Sequence, residues 1–404
     1  MMMRGLSLVA LLALSACGGP RIDAQGFTID PDFEKRLQAQ LLDAKPGEVI
    51  TIPAGKYALS RSLSLAADGV TIRGAGMDKT ILSFAKQTSG AEGMLVTGDD
   101  FTIEDLAIED AKGDALKVNG VKNTVIRRVR AEWTGGPRTT NGAYGLYPVQ
   151  VTNVLIEGTV VKGASDAGIY VGQSKNVIIR DNRAEGNVAG IEIENSSDAD
   201  VYGNTATGNT GGILVFNMPN LPVPGARTRV FKNDVRSNNH ANFAAAGTAV
   251  SSVPPGSGVI VNSNDWVEIF DNDLADNGTA NVIISSYYST GFDTKMGVAK
   301  AYDPFPQNIY VTGNRFSGGG DKPGDRYKPL AALAGGRLPE VIWDGFTDPK
   351  AGAAGICVQN GAAKTLNIDG PGKFANARID ANVGCAPAKR LQAVTLPEAM
   401  TKPT

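Results

Sequence analysis

The chain has 404 residues, 49 of them glycine, with 3 cysteines, a single histidine, a low aromatic content and a formal charge of −2. That balance supplies no basic field for DNA or RNA, and one histidine argues against a zinc site built from Cys and His. Glycine-rich and aromatic-poor, the chain fits one long loop-rich solenoid better than several conventional domains.

In chain order, Arg4 stands ahead of an apolar run from Leu6 to Leu14, which is too short to span a bilayer and reads as an export signal over residues 1–16. The stretch Leu14-Ser15-Ala16-Cys17 resembles the bacterial lipobox. The resemblance implies cleavage before Cys17 and lipidation of that cysteine. Gly18 in place of Asp beside it implies outer-membrane sorting, with the protein facing the periplasm or the cell surface. Residues 17–30 are then a linker. The alternative is an ordinary secretory signal with an incidental cysteine. In an oxidising compartment Cys357 and Cys385 are free either to form a disulfide or to stay as two thiols.

Pro31-Asp32-Phe33 opens a stretch with Phe33, Leu37 and Leu41 at helical spacing, ended by Lys45-Pro46-Gly47. This predicts an α-helical cap over the open end of a stack of strands. Strand-like lines follow, and four times an Asn recurs five residues after another: Asn182 and Asn187, Asn204 and Asn209, Asn233 and Asn238, Asn272 and Asn277. Around them Gly168-Ile169-Tyr170-Val171, Gly190-Ile191-Glu192-Ile193 and Gly212-Ile213-Leu214-Val215 superpose at a constant step.

One such unit holds about three short strands, the content of one coil of a single-stranded, right-handed parallel β-helix, all-β in class. Roughly nine coils are expected over residues 31–320, a rod near 40 Å long, with residues 321–404 as a C-terminal cap and polar tail. Strand period puts Ile169, Val171, Ile191, Ile193, Ile213 and Val215 in the lumen and points Tyr170, Glu192 and Leu214 outward. The Asn columns read as structural ladders at tight corners, since Asn tolerates left-handed backbone and its amide bonds to the next amide. Gln150, Gln173, Asn195 and Asn217 read as a second such column.

The repeat is interrupted at Trp133–Ala143, Met218–Ala226, Asn239–Gly256 and Ser286–Gln307. Two of these segments precede a strand of the Gly-x-x-Val type and two follow one, so in a stacked helix both clusters flank one strand face. Lys117, Tyr147, Tyr170, Glu192, Leu214 and Ile260 point out of that face and form the floor of an expected groove. Its walls would carry Trp133, Arg138, His240 and Phe243 on one side and Met218, Tyr287 and Tyr288 on the other. Exposed aromatics beside charged groups suit sugar rings. The alternative is that the tyrosines stack on their neighbours and the loops pack down as covers. Tyr147, Tyr170 and Glu192 are the catalytic candidates on this face. Lys117, Arg180 or Arg183 would supply a cation.

The runs Gly74-Ala75-Gly76-Met77-Asp78-Lys79-Thr80, Asn141 to Val149 and Ala164 to Ser174 identify the chain as a member of a bacterial family of exported right-handed parallel β-helix repeat proteins. More distantly, the repeats are similar to those of polysaccharide lyases and mannuronan epimerases. Epimerases of that group carry Tyr-Gly-Phe/Ile-Asp-Pro-His in a comparable line, and here the line reads Tyr144-Gly145-Leu146-Tyr147-Pro148-Val149. Tyr147 replaces the acid and Val149 the imidazole. Removing the proton beside a uronate carboxylate needs a cation, a base and an acid, so the epimerase chemistry does not carry over.

Acidic pairs at Asp99-Asp100, Glu104-Asp105 and Glu109-Asp110 offer oxygen ligands of the kind Ca²⁺ prefers but fit no calcium loop. They read as solvated edges, and no cofactor is expected. Two classes of function stay open. One is a lipid-anchored envelope protein that binds a glycan or glycan-like polymer in the groove. The other is a carbohydrate-active enzyme, a lyase or epimerase acting on acidic polysaccharide.

Overall fold

A computed structural model describes residues 21–291, 301–351, 355–384 and 390–402. The helix Phe33–Leu42 buries Phe33, Leu37 and Leu41, and Phe33 stacks on Tyr57 with ring centroids 3.6 Å apart. Behind it the chain winds into a parallel β-helix of about twelve turns rather than the roughly nine that the repeat suggested. The additional turns come partly from beyond residue 320. There Val341–Trp343 pairs in parallel with Ala280–Ser285, and Thr365–Asn367 pairs with Val341–Trp343. These coils lack the Gly-Ile-x-Val signature, so the sequence pattern ends before the fold does.

Among the described residues one sheet holds 12 strands, parallel except for its last pair, and the other holds 19. The larger sheet wraps a corner because Lys122–Glu132 is long enough to pair with both Thr152–Glu157 and Val160–Lys162. Ile169, Ile191, Ile213, Val259 and Val282 are vertical neighbours and fully buried in the lumen core. Each contributes roughly 1.5–3 kcal/mol.

The Asn columns are continuous ladders. Asn182 Nδ2 donates to Asn204 Oδ1 at 2.9 Å, Asn204 to Asn233 at 3.0 Å, Asn233 to Asn272 at 2.9 Å and Asn272 to Asn314 at 2.8 Å. The second column runs through Asn187, Asn209, Asn238 and Asn277 at 2.9–3.1 Å. Their backbone is not left-handed, contrary to expectation. The left-handed residue is the one before each, such as Asp181 (φ 56°), Gly203 (φ 67°), Lys232 (φ 54°) and Asp271 (φ 55°). That residue turns the corner, and the Asn amide is thereby aimed inward at carbonyls of the preceding coil.

The ladder also explains the glycines of Gly-Ile-x-Val. A Cβ on Gly168, Gly190, Gly212 or Gly258 would lie 2.8–2.9 Å from a ladder amide nitrogen. At the next position of the same column stands Asn281, which accepts from Asn277 at 2.8 Å and ends the ladder. The Gln150, Gln173, Asn195 and Asn217 column is only partly a ladder: Asn195 donates to Asn217 at 3.1 Å, whereas Gln173 turns to the Tyr170 hydroxyl at 3.3 Å.

The interrupting loops do reach one strand face from both sides, but over most of it they cover the face instead of walling it. Leu214, Ile260 and Ile283 are at most 4 % exposed and pack with Met218, Val250, Val253 and Tyr287 into a second apolar core outside the coil. An open floor running through Tyr170, Glu192, Leu214 and Ile260 is thus corrected, since all four are at most 5 % exposed: the tyrosines stack on their neighbours, and the apolar side chains stabilise the fold by drawing the loops down. What remains partly open is the end of the face nearer the N-terminus.

Candidate functional site

At that end, strands Leu116–Asn119, Tyr144–Val149, Ala167–Gly172 and Ala189–Glu194 present their outward side chains. Tyr147 stands opposite Lys117 and Tyr170 opposite Glu192, as the constant step required. The three phenols of Tyr144, Tyr147 and Tyr170 form a cluster with ring centroids 4.5–5.0 Å apart. The Lys117 ammonium lies 5.1 Å from the Tyr147 ring centre and 3.9 Å from a Glu92 oxygen. Gly172 is essential to this packing, since a Cβ there would meet the Tyr170 ring at 2.4–2.9 Å. The ring folds back over Gly172 and its hydroxyl donates to Glu194 Oε1 at 2.6 Å.

Four carboxyl groups surround the phenols. Burial first, then the charges of Asp166 and Glu194, raises Glu192 well above the usual carboxylate range, and Glu192 Oε2 is buried with no hydrogen-bond partner among the described residues. Burial and the neighbouring Glu194 and Asp114 push Asp166 up to about 8. Glu194 is also raised by burial, against the pull of the Tyr170 hydroxyl. Asp114 is raised by burial to about 6, held down in part by the Tyr144 N–H, which donates at 3.2 Å, and by Lys117. The same burial raises Tyr144 and Tyr170 strongly and Tyr147 to about 12. The phenols are therefore hydrogen-bond donors at neutral pH and cannot serve as bases. Near neutrality, part of the carboxyl group set keeps its protons.

Tyr147, Tyr170, Glu192 and Lys117 are thus brought together. Arg180 is not: it lies on the other sheet, where it pairs with Glu157 at 2.5 Å and meets the Tyr202 hydroxyl at 3.2 Å. Arg183 pairs with Glu185. Trp133 is no groove wall, being 6 % exposed, packed in the lumen core with its indole N–H donating to the Ala111 carbonyl at 2.7 Å. Arg138 is exposed on the loop before Tyr144. Tyr287 is buried in the outer core, whereas Tyr288 is exposed beside Phe305 and Phe346. His240 is partly exposed and meets Phe243 edge-on at 5.2 Å.

Asp114, Asp166, Glu194 and Tyr144 were not singled out from the sequence. Glu194 could have been found, since it lies two residues from Glu192 and so on the same side of the strand. Among the described residues no group of three or more His, Cys, Asp or Glu is arranged to hold a metal ion. Cys357 is disulfide-bonded; Cys385 and Cys17 lie outside the described residues.

The sequence signature of the family described as "Right handed beta helix region" matches residues 68–223 and 138–316, together more than half of the chain. The chain belongs to the right-handed β-helix family. Among solved structures this β-helix is similar to the Azotobacter vinelandii mannuronan C-5 epimerase AlgE4 A-module, with 19 % identity, a TM-score of 0.54, and 77 % of this chain and 87 % of that one covered. An alginate lyase from Paenibacillus sp. matches at 16 % identity and a TM-score of 0.43, covering 71 % of this chain and 96 % of that one. A DFA-IIIase from Arthrobacter chlorophenolicus A6 in complex with GF2 matches at 11 % and 0.46, covering 77 % and 86 %. At these identities the likeness of the β-helix to its neighbours is one of fold. No curated protein sequence matches the chain.

Proposed function

We propose that the protein is a glycan-binding β-helix of the cell envelope and that its site is the tyrosine–carboxylate cluster, reached through its half-buried members Lys117, Tyr144 and Tyr147. One observation carries the reading: on a face otherwise sealed by apolar loops, three phenols and four carboxyls with raised pKa values converge beside one lysine. A cluster of titratable groups perturbed by burial and by one another is a candidate functional site. Phenol donors and carboxyls that both donate and accept match sugar hydroxyls, and the aromatic rings match the apolar face of a sugar. The excess of carboxyls over cations favours a neutral glycan over a uronate polymer, whose carboxylates the cluster would repel.

The second reading, a carbohydrate-active enzyme, is favoured by Asp114 near 6 and Asp166 near 8, which bracket neutral pH as a base and an acid would. A lyase or epimerase acting on acidic polysaccharide would have Lys117 as its cation.

Calorimetric titration with neutral hexamers (cellulose, xylan, chitin) and uronate hexamers (alginate, pectate), with product analysis in parallel, separates the readings. Neutral binding without turnover, weakened at least tenfold by Tyr147→Phe at unchanged thermal stability because that half-buried hydroxyl leaves no buried partner orphaned, is expected. Cleavage or unsaturated products would install the enzyme reading, and absence of binding to every hexamer would refute both. Envelope anchoring through lipidated Cys17 is part of the proposal. Cys17→Ala should move the protein from the membrane to the soluble fraction, and an unchanged distribution would remove the anchor.

A further inference from the structure

On the larger sheet, one exterior column has left-handed backbone in eight successive coils. It comprises Asp100, Asn123, Asn153, Asn176, Asp198, Arg227, Trp266 and Asn308, all with φ of 55–65°. The register on either side of each member aligns them. The first members form an outer amide ladder, Asn123 to Asp100 at 2.6 Å, Asn153 to Asn123 at 2.7 Å and Asn176 to Asn153 at 3.0 Å. Asn and Asp suit that backbone; a bulky aromatic does not.

Trp266 therefore departs from its column. It holds an indole in a conformation unfavourable to it, and unlike that of its column neighbour Arg227, which is paired with Asp198, its side chain makes no ladder or ion-pair contact along the column among the described residues. Nor is it compensated by burial, since it is 43 % exposed while Trp133 and Trp343 are buried. An observed backbone outlier of this kind points to function.

A second, independent observation lies beside it. The C-terminal segment returns along this side of the rod and closes a cleft of about 500 Å³ lined by Asp198, Arg227, Trp266, Arg390, Leu391 and Gln392. The segment is fixed there. The Leu391 N–H donates to Glu268 Oε1 at 3.0 Å, and the Arg390 guanidinium lies over the rings of Phe270 and Tyr310 at 4.8 and 5.1 Å. Arg227 is held by both oxygens of Asp198 at 2.6 and 3.0 Å. An exposed indole flanked by fixed guanidinium, carboxylate and amide groups offers a platform for the apolar face of a sugar and partners for its hydroxyl rim.

We propose that Trp266 and the C-terminal segment form a second glycan-binding site, taking a short pyranose oligosaccharide stacked on the indole. The site is on the other sheet from the tyrosine–carboxylate cluster and does not depend on that assignment. Trp266 is the one exposed tryptophan of the three in the sequence, so acrylamide quenching of tryptophan emission reports on it directly. With hexamers of cellulose, xylan, chitin, alginate and pectate as probes, at least one should shield the exposed emission.

By calorimetric titration, which does not need the indole, Trp266→Asn, which restores the residue type of the column, should raise the Kd for that probe at least tenfold while leaving the urea midpoint equal or higher. Trp266→Phe should retain part of the affinity, and Tyr147→Phe should leave the shielding unchanged. Absence of shielding by all five probes, or unchanged affinity in Trp266→Asn, would overturn the proposal. Loss of shielding in Tyr147→Phe would overturn the separation of the two sites.

Discussion

Folding stability should fall as pH rises through neutrality, because the native cluster keeps protons that the unfolded chain releases. Asp166 moves from 3.8 to about 8. Between those values the native state binds the extra proton, so stability is full at acid pH, declines as pH rises and levels off above the folded pKa. A shift of about four units corresponds to roughly 5 kcal/mol, of which about 4 kcal/mol falls between about pH 5 and about pH 9.

The perturbation is Asp166→Asn, which keeps the shape and removes the titration. Any fixed cost of the new amide cancels when the variant is compared with itself at the two pH values. Removing the Asp166 charge also lowers Glu192, for which it is a cause of the upward shift, so the slope should shrink by at least the Asp166 share. Urea unfolding followed by far-ultraviolet circular dichroism at the two pH values gives the double difference. A wild-type protein equally stable at both, or a variant whose slope matches wild type within about 1 kcal/mol, would refute the assignment of a proton-holding cluster.

Asn209→Ala removes two bonds accepted from Asn187, at 2.9 and 3.0 Å, and two donated to Asn238 and Ala184, at 2.9 and 3.1 Å. Each orphaned buried group costs about 1–3 kcal/mol, so a loss of at least about 4 kcal/mol is expected by urea unfolding, and a loss under about 1 kcal/mol would show that the ladder is incidental. Deleting residues 390–404 strips Leu396 and Met400 from Val125, Leu155 and Ile178. Their burial, at roughly 1.5–3 kcal/mol each, is offset by ordering the segment, so a net loss of about 1–2 kcal/mol is expected. An unchanged midpoint would mean the segment contributes nothing to the rod.

The fold was legible because a solenoid repeats its instructions. The Gly-Ile-x-Val lines fixed register so closely that Tyr170 falls opposite Glu192 and Lys117 opposite Tyr147. The site was legible only where it obeyed strand period. Trp133 sits at an interruption, where no period says whether a side chain turns in or out, and it turned in. Arg180 was misplaced because a cation's value to a site depends on which sheet it leaves, and Arg180 leaves the sheet that carries Glu157. Asp114 and Asp166 escaped notice for a related reason. They stand just ahead of strands Leu116–Asn119 and Ala167–Gly172, where the chain is turning a corner and alternation gives no direction. The cover over Leu214 and Ile260 was legible as composition but not as geometry. A long loop beside an apolar strand face can stand away from it or fold onto it, and burial of that face settles the outcome in favour of folding.

In such a rod every residue has a built-in reference, the column to which it belongs, and a departure from the column is informative when the structure does not compensate for it. Asn281 departs from a column of glycines, but it ends the buried ladder and its amide is used. Glu192 departs differently. In its column Tyr170, Leu214, Ile260 and Ile283 are buried apolar or aromatic side chains, and a carboxyl among them is disfavoured by desolvation and by Asp166 and Glu194 beside it. With one oxygen buried and without a hydrogen-bond partner among the described residues, and itself only 3 % exposed, Glu192 weakens the fold beneath the phenol cluster. A leucine there would extend the apolar column by one coil and remove the carboxyl from among the phenols and Asp166, so what the glutamate provides is the polarity of the cluster. Glu192→Leu should therefore stabilise the rod and abolish glycan binding together, an outcome that a merely structural glutamate would not give.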